Sequence, residues 1–91
     1  LINGGWGNRL DVIARLDEHG ADRLEQPAAA VKPSKVVRWA VVRVDGAVHW
    51  FRDGKPHMTY NDQEPIQGNY LGFNNWLSNV AYDNLAVYDL K

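Results

Sequence analysis

Cysteine is absent from the 91-residue chain, which excludes a disulfide scaffold, a thiolate metal site and a cysteine nucleophile. An excess of either charge is also lacking, because the chain has 10 Lys and Arg side chains and 11 Asp and Glu side chains. With no basic surface for phosphates, we predict no nucleic-acid partner. The sequence has no apolar run near the roughly 18 residues of a membrane span and no signal-peptide pattern at its start, so we also predict no membrane partner.

Helical periodicity is nearly missing as well. Apolar and polar residues instead alternate with period two between turn residues, a pattern typical of all-β sandwiches and barrels. In the first such run, Leu10 and Val12 belong to the packed face, whereas Asp11 belongs to the face that we expect to be mostly wet. The alternation predicts strands over residues 9–17, 23–26, 35–44, 47–52, 55–60, 70–76 and 80–90.

Two Asp-Gly pairs give the sharpest local predictions. Asp and Gly readily adopt the positive φ values of tight hairpin turns, so Asp45-Gly46 and Asp53-Gly54 predict three consecutive antiparallel strands. The strand over 35–44 carries apolar groups on both faces. Residues 27–34 contain two prolines and are expected to form a surface connection.

The second half of the chain resembles a known group of domains. The runs WAVVRVDGAVHWFRDGKP (39–56), YNDQEPIQGNYLGFNNW (60–76) and YDNLAVYDL (82–90) resemble the C-terminal half of the concanavalin A-like lectin/glucanase, or laminin-G-like jelly-roll, superfamily. Within it the chain looks most similar to bacterial 3-keto-disaccharide hydrolase-like and uncharacterised polysaccharide-associated domains. The resemblance implies an all-β, antiparallel β-sandwich, with residues 1–91 forming a single jelly-roll domain or a C-terminal fragment of one.

The short chain also predicts association. A chain of this size buries only about 60 to 65% of the surface that it exposes when unfolded, and half of a jelly roll leaves hydrogen-bonding edges open. We therefore expect a homo-oligomer or a complementary chain. A secreted, periplasmic or cell-surface location in a bacterium would suit the resembled domains, but the sequence does not define the compartment.

The resemblance implies carbohydrate binding through an aromatic-rimmed sheet, with an oligosaccharide or polysaccharide as the partner. Trp76 could stack on a sugar ring, and the neighbouring amides of Asn74 and Asn75 could bond to hydroxyl groups. The alternative for Trp76 is that its ring closes one end of the core. The alternative for the two asparagines is that they satisfy loop backbone groups.

A second cluster contains Arg43, His49 and Arg52, with Trp50 as a further aromatic platform. A tight turn at Asp45-Gly46 sets Arg43 nearly opposite residue 48 and brings His49 close. On a concave face these groups would suit acidic sugars. The alternative is a solvated face on which the cations pair with one of three carboxylates, Asp11, Asp17 or Asp53.

Two other functions remain open at this stage. One is a glycoside hydrolase or related sugar-cleaving domain whose N-terminal half is missing, although no convincing carboxylate pair occurs. Asp62 and Glu64 lie in a polar loop, where both are expected to point to water. The other is a structural protein-interaction module that recruits a partner by strand pairing at an open sheet edge.

No cofactor or metal motif is present. The three histidines are widely spaced and form no zinc pattern. Calcium is a separate case, because backbone carbonyls and scattered Asp or Asn side chains form sites that leave no motif. Asp62 and Asp83 are the carboxylates that we name for such a site.

Overall fold

The computed structural model describes residues 1–90 as a nearly all-β fold. Its elements are β1 (Ile2–Gly4), the short helical turn α1 (Gly5–Asn8), β2 (Leu10–Ile13), β3 (Leu24–Pro27), β4 (Trp39–Val44), β5 (Ala47–Arg52) and β6 (Lys55–Asn61). The first three strands form the N-terminal sheet, in the order β1-β2-β3, and the last three form the C-terminal sheet, in the order β4-β5-β6. All paired strands are antiparallel, which confirms the predicted fold class.

Both Asp-Gly pairs form the predicted tight turns. Asp45 and Asp53 each have φ 50°, and Gly46 and Gly54 each have φ 77°. Two consecutive positive φ values match the turn that joins strands with their natural right-handed twist. The three-stranded meander of β4, β5 and β6 is thereby confirmed.

A β-bulge in β6 directs His57 toward the N-terminal sheet. The register pairs Trp50 with Met58 and Phe51 with Pro56, so His57 is the extra residue between these pairs. A bulge sets two residues opposite one and bends the strand locally. The side chains of His57 and Met58 therefore both reach the space between the sheets, where they contact Trp50.

The core between the two sheets is small. Ile13 from the N-terminal sheet packs with Trp50 and Met58 from the C-terminal sheet, and Tyr60 covers this cluster from one side. Trp50 is the largest fully buried side chain among residues 1–90. Its position at the centre of β5 explains why this strand is the most buried part of its sheet.

Two predicted strands are not formed. Residues 70–76 and 80–90 lie exposed and outside any ladder. A strand requires hydrogen bonds to a neighbouring strand as well as an alternating pattern, and no described strand pairs with these segments. Two others are shorter than predicted: 9–17 is reduced to β2, and 35–44 to β4. The chain leaves the ladder after Ile13, and the positive φ of 67° at Leu16 is incompatible with the extended backbone predicted up to residue 17. In residues 1–90 there is also no helix that combines the length and the apolar character required to cross a membrane.

The two turn glycines provide a matched test of the fold. A Cβ at Gly54 would contact nothing within 4 Å, whereas a Cβ at Gly46 would lie 3.0 Å from the carbonyl oxygen of Asp62. We expect Gly54→Ala to lower the free energy of unfolding by about 1 to 2 kcal/mol through backbone strain alone. Gly46→Ala should lower it further, as measured by urea unfolding, and equal losses would contradict the close approach of Gly46 to Asp62.

Candidate functional site

A buried carboxylate joins three parts of the chain. Asp11 on β2 is fully buried. Its Oδ1 accepts hydrogen bonds from Asn3 Nδ2 at 2.7 Å and from the Gly4 amide at 2.8 Å. Its Oδ2 accepts from the Ala29 amide at 2.9 Å and from His57 Nε2 at 2.7 Å. We call this group of residues the Asp11 clasp, since it ties β1, the 28–31 connection and β6 to β2.

The histidine of the clasp is held by an indole. The Trp50 and His57 rings meet edge to face with centroids 4.6 Å apart, and the Trp39 ring lies tilted against Trp50 with a centroid distance of 4.7 Å. Aromatic pairs at these separations are favourable beyond their buried area. The imidazole is consequently fixed with Nε2 toward Asp11.

Two opposing effects set the pKa of Asp11. Burial raises the pKa, because it disfavours the charged form, while hydrogen bonds from Asn3, Gly4, Ala29 and His57 lower it. The hydrogen bonds prevail, and the pKa lies below the ordinary value of 3.8. Asp11 is therefore an ionised acceptor at neutral pH, with both oxygens occupied by donors.

Two donors beside the clasp have no partner among the described residues. These atoms are Trp50 Nε1 and Arg52 Nε, both buried. The two residues lie two positions apart on β5 and therefore project from the same face, about 6 to 7 Å apart along the strand. A buried donor without an acceptor costs free energy, so each of the two atoms would gain from an acceptor, which would have to displace the side chains that now cover it.

The structure places the predicted sugar-stacking residues away from the core. Trp76 is 85% exposed, so its ring does not close the core. Asn74 is also exposed. Asn75 forms hydrogen bonds with the Ser78 carbonyl and the Tyr82 hydroxyl, which are local loop contacts.

The predicted cluster on β4 and β5 is divided between two faces. The register sets Arg43 opposite Val48 and Val42 opposite His49, so Arg43 and His49 project from opposite sides of the sheet. His49 Nδ1 lies 3.2 Å from Thr59 Oγ1, and Arg43 donates to the Ile66 carbonyl at 3.1 Å. Trp50 shares the face of Arg43 but is fully buried, so its ring is no open platform.

The carboxylates named for calcium are not brought together as a site. Asp62 forms an ion pair with Arg15 at 3.1 Å, and Asp83 accepts a bond from the Asn84 amide. Residues 1–90 contain no group of three His, Asp or Glu side chains that could hold a metal ion.

Sequence reasoning missed the Asp11 clasp. It assigned Asp11 to the wet face of the first strand, which is wrong, because four donors compensate for burial of the carboxylate. Alternation could not reveal this, since a polar residue on an otherwise packed strand normally indicates solvent. The bulge that directs His57 to Asp11 also left no sequence signal that we used.

Comparison with known proteins assigns the family. A family model described as farnesoic acid O-methyl transferase matches residues 1–86, which is nearly the whole chain. This all-β chain with its buried carboxylate clasp belongs to that family. No curated protein and no solved structure matches the chain.

The family match corrects the sequence-based assignment. The resemblance to concanavalin A-like, laminin-G-like domains was wrong, because the matching model describes another family over residues 1–86. Carbohydrate binding, glycoside hydrolysis and a purely structural interaction module were inferred with that assignment, and none fits the family. The strand and turn pattern behind the resemblance is shared by many all-β domains and defines no single family.

The clasp predicts a large effect of a nearly isosteric substitution. Asp11→Asn keeps one oxygen but places an amide group against two of the present donors. We expect the free energy of unfolding to fall by about 3 kcal/mol, because a buried charged network loses an acceptor. Urea unfolding measures this loss, and the exposed Asp22→Asn should stay within about 0.5 kcal/mol of the parent chain. A similar small change for Asp11→Asn would contradict the role of the clasp.

The lowered pKa of Asp11 also predicts an acid-dependent stability. The contribution of the carboxylate is fully present above its unfolded-state pKa, near 3.8, and is lost as the pH falls through the lower folded-state pKa. The stability difference between the parent chain and Asp11→Asn should therefore be largest at neutral pH and shrink below that window. Urea titrations at a series of pH values test this, and a difference independent of pH would exclude ionised Asp11 as its source.

Proposed function

We propose that this domain binds an apolar carboxylic acid of the farnesoic acid class. The family description names such an acid as the compound that is methylated. A ligand of this kind has two parts, a carboxylate that requires hydrogen-bond donors and a hydrocarbon chain that requires apolar surface.

The single observation that carries the proposal is the pair of buried, unpartnered donors, Trp50 Nε1 and Arg52 Nε. A carboxylate accepts several hydrogen bonds, and guanidinium donors form its strongest pairs. The Asp11 clasp does not compete for these donors, because its carboxylate is already occupied. A carboxylate that displaced the side chains covering these atoms would supply the acceptor that they lack.

Apolar surface lies beside these donors on the same face. The register places Trp39 opposite Arg52 and Val41 opposite Trp50, so all four side chains share one side of the sheet. Trp39 is 42% exposed and Val41 is 47% exposed. A hydrocarbon chain could lie along these two side chains while its carboxylate reaches the donors.

The proposal concerns binding of the acid and includes no transfer step. A carboxylic acid is ionised at neutral pH, so its methylation requires no general base, and the His57 and Asp11 pair is not needed for that purpose. A methyl donor that contains a nucleoside or nucleotide is commonly held at a loop between a parallel strand and a helix. The described sheets are antiparallel and α1 has 4 residues, which does not fit such a donor.

Calorimetric titration tests the proposal with farnesoic acid and its methyl ester as a matched pair. We expect the acid to bind and the ester to bind about tenfold more weakly or worse, because the ester lacks the charge that strengthens hydrogen bonds. Arg52→Gln should weaken binding of the acid by about tenfold or more while affecting the ester little.

Two controls separate this site from general charge or packing effects. Arg43→Gln removes the same charge from the same sheet and should leave the affinity within about twofold. Trp50→Phe keeps the aromatic ring but removes the indole donor, and it should weaken binding of the acid. Absence of binding, or equal affinities for the acid and the ester, would overturn the proposal.

A further inference from the structure

The chain exposes more solvent-accessible surface than is typical of a folded monomer of the same mass. Its accessible area is 7814 Å², whereas a folded monomer of 10.3 kDa typically exposes about 5,400 Å². If each of two copies buried its surplus of roughly 2,400 Å², the interface would total about 4,800 Å², which lies near the upper end of the roughly 2,000 to 5,000 Å² typical of obligate dimers. An interface with a second copy could therefore account for it.

Strand β4 provides one half of such an interface. It pairs with β5 on one side only and forms an edge of its sheet. Five of its 6 residues are exposed, although the strand consists of apolar residues except for Arg43. Long apolar edge strands with free backbone groups are sites of strand addition.

The segment 85–90 provides the other half. It is apolar or aromatic except for Asp89, has 6 residues like β4, and lies exposed without a ladder. Asn84 precedes it with a positive φ of 56°, which separates it from the preceding residues. Leu85, Val87 and Tyr88 are 63%, 77% and 82% exposed, so the segment has apolar side chains available for packing.

Charge distinguishes the two halves and favours their pairing. Residues 32–44 carry four cations and no acid: Lys32, Lys35, Arg38 and Arg43. Residues 66–91 carry two acids, Asp83 and Asp89, and one cation, Lys91, so their net charge is opposite in sign to that of residues 32–44. Complementary charge of this kind sets both partner and register.

We infer that two copies of this chain associate by reciprocal strand addition, with segment 85–90 of each copy pairing with the free edge of β4 in the other. A single copy carries both complementary surfaces, so a two-fold arrangement satisfies both at once. The added strand would continue the C-terminal sheet and pair with the free backbone groups along the edge of β4. This inference is independent of acid binding, which uses a face of the sheet rather than its edge.

Light scattering after size-exclusion chromatography tests the inference. The parent chain should have twice the mass of the 10.3 kDa chain at micromolar concentration. Lys35→Glu with Arg38→Glu should give monomers, and so should Asp83→Lys with Asp89→Lys, because each double variant brings like charges together. An equimolar mixture of the two variants should recover dimers, since both strand contacts of the mixed dimer then join opposite charges.

The matched control is Glu18→Lys with Asp22→Lys, which changes the net charge as much as the Asp83 and Asp89 pair but lies in the exposed turn before β3. This variant should remain dimeric, and circular dichroism of all variants should show the same β-sheet spectrum. A monomeric parent chain, including one whose own segment folds back onto β4, would overturn the inference. Dimers that survive either charge reversal would overturn the assignment to this edge.

Discussion

The carboxylate of Asp11 is the interaction on which the arrangement of the two sheets depends. It accepts four hydrogen bonds from residues that are far apart in sequence, and one donor, His57, belongs to the other sheet. An ionised group in a dry position is tolerated only when its acceptors are filled. The position of β6 relative to β2 is therefore specified by a polar contact in addition to apolar packing.

This polar contact matters because the core is so small. Ile13, Trp50 and Met58 form the buried cluster between the sheets, and a chain of this length has limited apolar area to bury. A fully satisfied polar network rigidifies its surroundings and selects one arrangement. The edge-to-face contact of Trp50 with His57 joins the apolar cluster to the clasp, so the two contributions act on the same residues.

The sequence predicted the local features that depend on local chemistry. The turns at Asp45-Gly46 and Asp53-Gly54 and the meander between them follow from residues that tolerate positive φ. The burial of Asp11 depended on donors 7 to 46 positions away, which no local pattern contains. The strand predicted over residues 80–90 did not form for a related reason, because an alternating pattern describes side-chain faces but a strand also requires a neighbouring edge. The free donors of Trp50 and Arg52 could not be foreseen without the register of β5.

The contrast between β4 and β5 links the proposed acid site and the proposed dimer. Both strands are mainly apolar and belong to one sheet, but β5 is central and buries Trp50, whereas β4 is an exposed edge. A small core can cover one strand of a sheet on its inner face, and the neighbouring strand is then left uncovered. The face of that strand, with Trp39 and Val41, is where a hydrocarbon chain would find apolar contact, and its edge is where a second copy would find backbone partners. Face and edge use different groups of the same strand, so occupation of one leaves the other available.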